Sequence, residues 1–441
     1  MKKFLIFIFA CLLSSQGSIF SQLKVWSLEE CIKYAIENNI QIKQQAIQTD
    51  VQQNSLDLSK FQLLPTLNSQ AQFSYSYGHA LAQTSYQFYS SVKSQYFYVG
   101  GTMPIFNGLQ YYNAIQKNKY QVLASKQDLQ DISDNVALNV ALAYLQVLLN
   151  KELVAVNENQ FNITLQQIEK TKKLVDAGSV AKGNLLEIEA QAGQEELSLI
   201  TQKNLLETSV LTLTQLLELK SPSGFEIIVP EINVDPNTII SGNIDDIYAI
   251  AEKNRPEIKS SELKLTASQY SLKMAKGARS PVLSLTYSIT TQYTSSSPET
   301  FSSQIKTFRN EGAGLQLNIP ILNGWQVNKN ISNSKLNVQT NEYALEATQK
   351  QLYKNIQQAY TDAVAALKKY SVSLKTIAST EESFRYTEQK FNVGMVTPVD
   401  YNAAKTNLLK SQSDMAQAKY EFIFKTKVLD FYKGIPLKLN Q

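Results

Sequence analysis

The side chains that could carry out chemistry in this chain are few. Its 441 residues include one histidine, His79, and two cysteines, Cys11 and Cys31. Metal sites and acid–base centres need clusters of such residues, and the sequence has no histidine pair, cysteine pair, glycine-rich phosphate loop or nucleophile elbow. The sequence therefore predicts a protein that is not an enzyme, with no catalytic residue, no metal site and no cofactor.

The residues that recur at a fixed spacing are turn formers. A Pro-Ile-x-Asn-Gly segment occurs twice, 216 residues apart (320 minus 104), and the same spacing relates Gly178 to Gly394. A constant spacing over most of a chain indicates an internal duplication, in which each copy supplies the same elements. The strand-to-helix turns that it predicts contain Pro104, Asn107, Gly108, Pro320, Asn323 and Gly324.

Residues 1–21 are typical of a secretory signal peptide. Lys2 and Lys3 precede an apolar run that ends near Leu13, and small polar residues lead to a predicted cleavage site after Ser21. The apolar run is too short to span a bilayer, which needs about 20 residues. Lipidation of Cys11 stays open as an alternative, although the residues around it fit a lipoprotein signal poorly.

Charge and composition exclude further classes. The net charge of +4 includes Lys2 and Lys3, so the mature chain is almost balanced and no nucleic-acid partner is expected. Cys31 is then the only cysteine, and we expect it in the core. No run of about 18 uninterrupted apolar residues occurs, so no transmembrane helix is predicted.

Each copy is predicted to contain starting helices, a strand pair, a very long helix and a return helix. A linker at 220–243, in which 225–229 could form a short strand, separates the copies, and 434–441 is a C-terminal tail. The first repeat, 22–219, has strands at about 66–78 and 95–104, a long helix at 109–177 and a return helix at 184–219. The second repeat, 244–433, has strands at about 282–294 and 312–320, a long helix at 325–393 and a return helix at 398–433.

The predicted strands alternate between apolar and polar residues. From Leu67 to Tyr77 the apolar and aromatic residues fall mostly on odd positions, and the second copy repeats this from Leu283 to Tyr293. Such alternation over about 9–11 residues, with tyrosine-rich flanks, is typical of transmembrane β-strands. A soluble sandwich is the alternative, because its strands alternate as well.

The long helices are predicted to end at glycines. Neither 109–177 nor 325–393 contains a glycine or proline, and Gly178 and Gly394 occupy the left-handed cap position. In the second copy we expect Thr397 to cap the return helix, with Asp400 in its first turn. At 1.5 Å per residue each long helix spans about 100 Å.

Four strands cannot close a barrel, and open sheet edges are not tolerated in lipid. Two copies of the chain would give eight strands, a barrel whose interior is filled by side chains, whereas three copies give twelve. The sequence therefore predicts a homotrimer in contact with outer-membrane lipid.

These features together resemble the TolC family of outer-membrane efflux proteins. The resemblance covers essentially the whole mature chain and implies a membrane α/β fold: a duplicated β-hairpin plus long-helix repeat, assembled as a trimeric 12-stranded outer-membrane β-barrel that continues as an α-helical periplasmic barrel. It implies location in the outer membrane of a Gram-negative bacterium. It also implies two further partners, a periplasmic adaptor (membrane fusion) protein and an inner-membrane transporter.

The resemblance also suggests site residues. The tip turns of the family contact the adaptor, and acidic residues just past the second tip surround the periplasmic entrance. Asp400 matches one such position, but Ala403 stands where a second acid would be, and Asn184 is the repeat equivalent of Asp400. Asp400 could instead serve only as a helix cap. The predicted adaptor-docking residues are Gly178, Ser179, Val180, Gly394, Met395 and Val396.

The predicted function is an outer-membrane channel-tunnel that exports small molecules as the exit duct of a tripartite efflux pump. One alternative is the exit duct of a type I protein secretion system. An alternative of another class is a secreted structural coiled-coil or adaptor protein, which would explain the helices but not the two alternating strand pairs.

Overall fold

A computed structural model describes residues 25–81, 88–230, 234–235, 240 and 242–439, without the side chains of 79–90. The predicted signal peptide, Cys11 and the side chain of His79 lie outside this description. The described chain folds into two compact units. The first unit comprises residues 25–43, 132–251 and 353–439, and the second comprises 44–131 and 252–352.

The first copy begins with a two-residue strand and two helices and continues with a strand pair, a long helix and a return helix. The helix α1 starts at a capping box in which Ser27 and Glu30 bind each other's backbone N–H groups. The elements are β1 (Val25–Trp26), α1 (Leu28–Asn38), α2 (Ile40–Phe61), β2 (Asn68–Leu81), β3 (Phe88–Phe106), α3 (Gln110–Asp176) and α4 (Lys182–Leu216).

The second copy repeats the pattern after a linker with a short strand, β4 (Glu226–Ile227). Its long and return helices lie within one residue of the predicted bounds. One additional helix, α7, interrupts the strand pair. The elements are α5 (Ile244–Asn254), α6 (Pro256–Gly277), β5 (Val282–Thr294), α7 (Phe301–Thr307), β6 (Asn310–Asn318), α8 (Gln326–Asn392) and α9 (Pro398–Lys433).

The second unit contains a four-stranded antiparallel sheet in the order β2-β3-β5-β6. Its odd-numbered face carries exposed apolar side chains such as Phe73, Ile289 and Leu315, and the even positions are mostly polar. This division is the one expected for a strand between lipid and an aqueous lumen. Strands β2 and β6 are the two edges of the sheet in the described part of the chain.

Several predicted boundaries in the strand regions are wrong. Pro104 does not end its strand, because β3 continues to Phe106 and a register shift between these two residues accommodates a residue that lacks an N–H group. The second copy differs, since β6 ends at Asn318, two residues before Pro320. The strand β3 also begins at Phe88 rather than near 95.

The short helix α7 was not predicted. The Gln304 side chain, which is fully buried, accepts a hydrogen bond from the Thr294 N–H (2.9 Å) and donates to the carbonyl oxygens of Thr294 and Glu299. The Thr291 hydroxyl donates to the Ile305 carbonyl, and the rings of Tyr293 and Phe301 pack edge to face. These contacts hold α7 against the end of β5.

The first unit contains the C-terminal parts of α3 and α8 together with α4 and α9. Its parallel β1–β4 pair is closed by Tyr144, whose hydroxyl donates to the Ile228 carbonyl (2.6 Å) and lies 3.2 Å from the Trp26 carbonyl. Burial raises the pKa of Tyr144 well above its ordinary value. The Tyr144 hydroxyl therefore positions the linker strand β4.

Two further observations concern the predicted helices. Among the described residues, α3 contains a stretch that is long and apolar enough to cross a membrane by length and composition alone, although Asn139, Gln146 and Asn150 interrupt its apolar residues. A buried core helix passes the same test, and Val140, Tyr144 and Leu148 in α3 are almost fully buried within the first unit. The return helix α4 ends at Leu216 instead of 219, because Glu218 adopts a left-handed backbone conformation (φ 56°).

Candidate functional site

The two tip turns end their long helices with the same backbone motif. Gly178 has φ 74°, its N–H donates to the Val175 carbonyl, and the Ser179 N–H donates to the Leu174 carbonyl. Gly394 repeats this geometry with φ 76° and bonds to Phe391 and, from Met395, to Lys390. These paired bonds form a Schellman motif. The residue after the helix has a left-handed backbone in this motif, and glycine adopts that conformation without steric strain.

The residues after the two glycines differ between the copies. Helix α9 starts with a capping box: the Asp400 N–H donates to the Thr397 hydroxyl (3.2 Å), and the Asp400 carboxylate accepts from the Thr397 N–H and hydroxyl. The predicted cap is confirmed. Helix α4 has Ala181 at its N-cap and no side-chain cap bond. Asn184 therefore lacks the capping partner that Asp400 has.

Both tip turns border one cleft of about 750 Å³ in the first unit. Val180 and Asn184 line it from the first tip, and Gly394 and Val396 line it from the second. The Lys170 ammonium donates to the Asn392 side chain (2.8 Å) beside it and ties the end of α3 to the end of α8. The structure thus brings together four of the predicted site residues.

The other predicted tip residues do not line the cleft. Gly178, Ser179, Met395 and Asp400 lie outside its lining, and the Met395 side chain is exposed. A Cβ atom placed on either tip glycine would meet no described atom within 4 Å. A Cβ atom can therefore be added at either tip without displacing packed neighbours, while the left-handed backbone strains any residue other than glycine.

Behind the second tip, aromatic rings fix the start of α9 to the end of α8. The Tyr401 ring stacks on Phe391 with ring centroids 4.5 Å apart and packs on Phe384. Burial, with smaller contributions from Glu388 and Glu195, raises the pKa of Tyr401 to about 12. This stack is expected to limit rotation of α9 against α8 near the tip.

One turn after Tyr401, a buried ionic cluster joins α9 to α3 and α4. The Lys405 ammonium lies 3.4 Å from the Glu195 carboxylate, and these side chains are 2% and 5% exposed. Lys405 also donates to the Thr164 hydroxyl and the Gln160 carbonyl, and Thr164 donates to Glu195. Burial lowers the pKa of Lys405, and the Glu195 charge opposes that shift.

The sequence interpretation missed this cluster, although a signal was present. Glu195 follows Ile188 and Ala192 and precedes Leu199 at the spacing of one helix face, so it interrupts an otherwise apolar stripe. An acid in such a position is either exposed or paired, and its partner cannot be identified from the periodicity. The buried partner, Lys405, lies 210 residues away.

The strand-to-helix turns match between the copies in backbone but not in surroundings. Gly108 and Gly324 are left-handed, and so are the residues that follow them, Leu109 and Trp325. The predicted helices therefore start one residue later than expected. A Cβ atom on Gly108 would meet the Gly277 carbonyl at 2.3 Å, whereas one on Gly324 would meet no described atom within 4 Å.

Comparison with known proteins identifies the family. The family model described as outer membrane efflux protein matches residues 31–218 and 247–424, one segment in each copy. The chain is 22% identical over 437 residues to the outer membrane protein TolC of Escherichia coli (strain K12), which covers 96% of this chain and 84% of that protein.

Solved structures show the same fold. The CusC structure superposes with a TM-score of 0.79 at 16% identity and covers 93% of this chain and 92% of that one. The Campylobacter jejuni CmeC outer membrane channel gives a TM-score of 0.77 at 18% identity, with 92% and 85% covered. The chain belongs to the outer membrane efflux protein family and is an outer-membrane channel protein with a helical periplasmic part.

Proposed function

We propose that three copies of the chain form the outer-membrane exit duct of a tripartite efflux pump that exports small molecules. The observation that carries this proposal is the sheet, which has one apolar face, one mostly polar face and, within the described part of the chain, two unpaired edges. Three such sheets make a closed barrel of twelve strands whose apolar face contacts lipid. The long helices α3 and α8 continue the duct into the periplasm.

We further propose that the tips dock a periplasmic adaptor, which couples the duct to an inner-membrane transporter. Both tip turns of one chain border a single cleft, and its lining mixes apolar Val180, Val396 and Val399 with polar Asn184 and Glu187. An adaptor segment with apolar side chains and a polar rim would match that lining. Asp400 and Asn184 are proposed to lie near the periplasmic entrance.

Fractionation tests the assembly. We expect the protein in the outer-membrane fraction, extractable only with detergent, as a trimer that dissociates on heating. A species that is soluble without detergent would refute the channel and favour the secreted coiled-coil alternative.

A tryptophan at the second tip tests the docking residues. Gly394→Trp should abolish export while leaving trimers intact, because the bulky side chain occupies the docking surface. Gly434→Trp is the matched control: Gly434 is also left-handed (φ 74°), ends a helix with a Schellman motif and has no described atom within 4 Å of an added Cβ. Both substitutions carry the same backbone strain, so normal export by Gly394→Trp would refute the docking assignment.

A second function remains a candidate because the relatives of the chain include proteins named for secretion. The proteases secretion protein PrtF of Dickeya chrysanthemi is 19% identical to the chain over 407 residues, covering 91% of the chain and 85% of that protein. We therefore keep the exit duct of a type I secretion system as an alternative. A deletion strain distinguishes the two, since loss of small-molecule export raises sensitivity to toxic compounds, whereas loss of secretion removes a protein from the medium.

A further inference from the structure

The two strand pairs of the chain have the same internal register. In the first pair Asn68 lies opposite Gly100, and in the second Ser284 lies opposite Gln316, each position shifted by the repeat spacing of 216 residues (284 minus 68). The duplication is therefore preserved at the level of single hydrogen-bonded positions. The pairing between a strand of one copy and a strand of the other can therefore be used to predict the reverse pairing, by adding 216 to the residue numbers of the first copy and subtracting 216 from those of the second.

The structure contains one such junction. Strand β3, the second strand of the first copy, pairs with β5, the first strand of the second copy, and Val99 lies opposite Ile289. The reverse junction, from the second strand of copy two to the first strand of copy one, is absent from the described sheet because β6 and β2 are its two edges. In a closed ring of chains this reverse junction joins β6 of one chain to β2 of the next.

We propose that β6 of one chain pairs antiparallel with β2 of a second copy in the register of the β3–β5 junction, so that Leu315 lies opposite Phe73. This inference rests on the proposed trimer and specifies its interface. Shifting Val99 forward by 216 gives Leu315, and shifting Ile289 back by 216 gives Phe73. The same operation places Ala313 opposite Tyr75.

The side chains fit this register. Leu315 and Phe73 are 68% and 74% exposed in the single chain and lie on the apolar face, so they would form one apolar cross-strand pair. On the other face Gln316 would lie opposite Gln72, two amides that can hydrogen-bond. A slip of one residue would place Leu315 opposite a polar position and turn one strand's apolar face to the lumen.

The strand-to-helix turns that follow β3 and β6 support pairing with a second copy of the chain. The Gly108 turn packs against the end of α6 at Gly277 and Ser280. The equivalent Gly324 turn has no described neighbour within 4 Å, and Trp325 beside it is exposed. The positions that correspond to Gly277 and Ser280 are Phe61 and Leu64, which are also exposed. In the trimer, Trp325 of one chain would pack against Phe61 and Leu64 of the next. The distance between the turn and the helix end would be larger there than at Gly108, because Phe61 takes the place of Gly277.

Cysteine cross-linking tests the register. The background is Cys31→Ala, which leaves no cysteine after the predicted signal peptide. Phe73→Cys with Leu315→Cys should form disulfides between chains on mild oxidation of outer membranes, because directly opposed positions have Cα separations within the range for a disulfide. The expected product is a covalent trimer on a denaturing, non-reducing gel.

Three control pairs make the outcome decisive. Val99→Cys with Ile289→Cys, the equivalent pair inside one chain, should cross-link without changing the oligomer on the gel. Leu315→Cys with Ala71→Cys, and Leu315→Cys with Tyr75→Cys, report slips of two residues in either direction. Covalent trimers that form faster from a slipped pair would overturn the register and leave the trimer standing. A native trimer in which the Val99–Ile289 control cross-links but none of the three Leu315 pairs does would refute β6–β2 pairing. A native monomer would refute the proposed assembly as well.

Discussion

Replacing Lys405 tests whether the buried cluster holds the helices of the first unit together. The Lys405 and Glu195 side chains are 2% and 5% exposed, so Lys405→Met leaves the Glu195 carboxylate buried without its cation. Methionine keeps most of the aliphatic volume, so the change is mainly one of charge. Removing one partner of a buried pair costs about 3–5 kcal/mol, because the remaining charge stays desolvated.

This cost converts into a melting shift. Unfolding entropy is about 2.1 cal/mol/K per residue, which gives about 0.9 kcal/mol/K for a chain of 441 residues. Lys405→Met should therefore lower the apparent melting temperature by about 3–5 °C. The measurement is thermal melting of the helical circular dichroism signal in detergent, at one fixed protein concentration because assembly affects the midpoint.

Lys203→Met is the matched control. Lys203 lies 3.4 Å from Glu158, the same distance as in the buried pair, and it links α4 to α3 as the buried pair links α9 to α4, but both side chains are about half exposed. Exposed pairs contribute about 0–1 kcal/mol, so this variant should melt within about 1 °C of the wild type. Equal shifts in the two variants would contradict an effect of burial.

The double variant separates charge from packing. Lys405→Met with Glu195→Gln removes both charges, so no desolvated ion remains, and most of the lost stability should return. The Thr164 hydroxyl, which donates to Glu195, keeps a hydrogen-bonding partner in the glutamine. A double variant no more stable than Lys405→Met alone would refute the reasoning, as would a Lys405→Met shift below about 1 °C.

Three further predictions concern single side chains. Tyr144→Phe should lower stability by about 1–3 kcal/mol, because the Ile228 carbonyl loses its donor, while Tyr343→Phe, at an exposed position, should not; thermal melting compares them. Thr397→Ala should cost about 1 kcal/mol and increase amide exchange in the first turn of α9, whereas Ala181→Thr with Asn184→Asp should reduce exchange at the start of α4. Burial raises the pKa of Tyr401 from 10 to about 12 in the folded state, so its contribution to folding stability is complete below pH 10 and is lost as pH rises to about 12. Tyr401→Phe should therefore reduce the fall of the melting temperature between pH 10 and pH 12. An unchanged dependence of melting temperature on pH would contradict the burial of this hydroxyl.

The long helices could be predicted because their start and end signals are local. The 67-residue helices α3 and α8 contain no glycine or proline, and each ends at a glycine with a left-handed backbone. Thr397 as the N-cap of α9, with Asp400 in the first turn, was predicted for the same reason, since the two residues are three apart. The end of α4 was predicted wrongly because Glu218 takes the left-handed cap conformation without being a glycine.

The helix α7 and the Lys405 cluster could not be predicted in this way. Helix α7 is held by hydrogen bonds between Gln304 and backbone groups of β5, and a glutamine in the sequence does not by itself indicate such bonds. A lysine such as Lys405 is expected at the surface when only its own helix is considered. It is buried because Thr164 of α3 and Glu195 of α4 bind its ammonium group. Both depend on contacts between elements that are separate in sequence.

The sequence by itself determined the duplication, the alternating strand faces and the helix caps of this outer-membrane channel protein, because each of these depends on residue spacing or on neighbours within one turn. The tertiary structure alone decided which polar groups are buried and how the two copies are joined. Burial and strand register depend on side chains and edges brought from distant parts of the chain. Those contacts put the first-copy turn at Gly108 against α6 and left the Gly324 turn open.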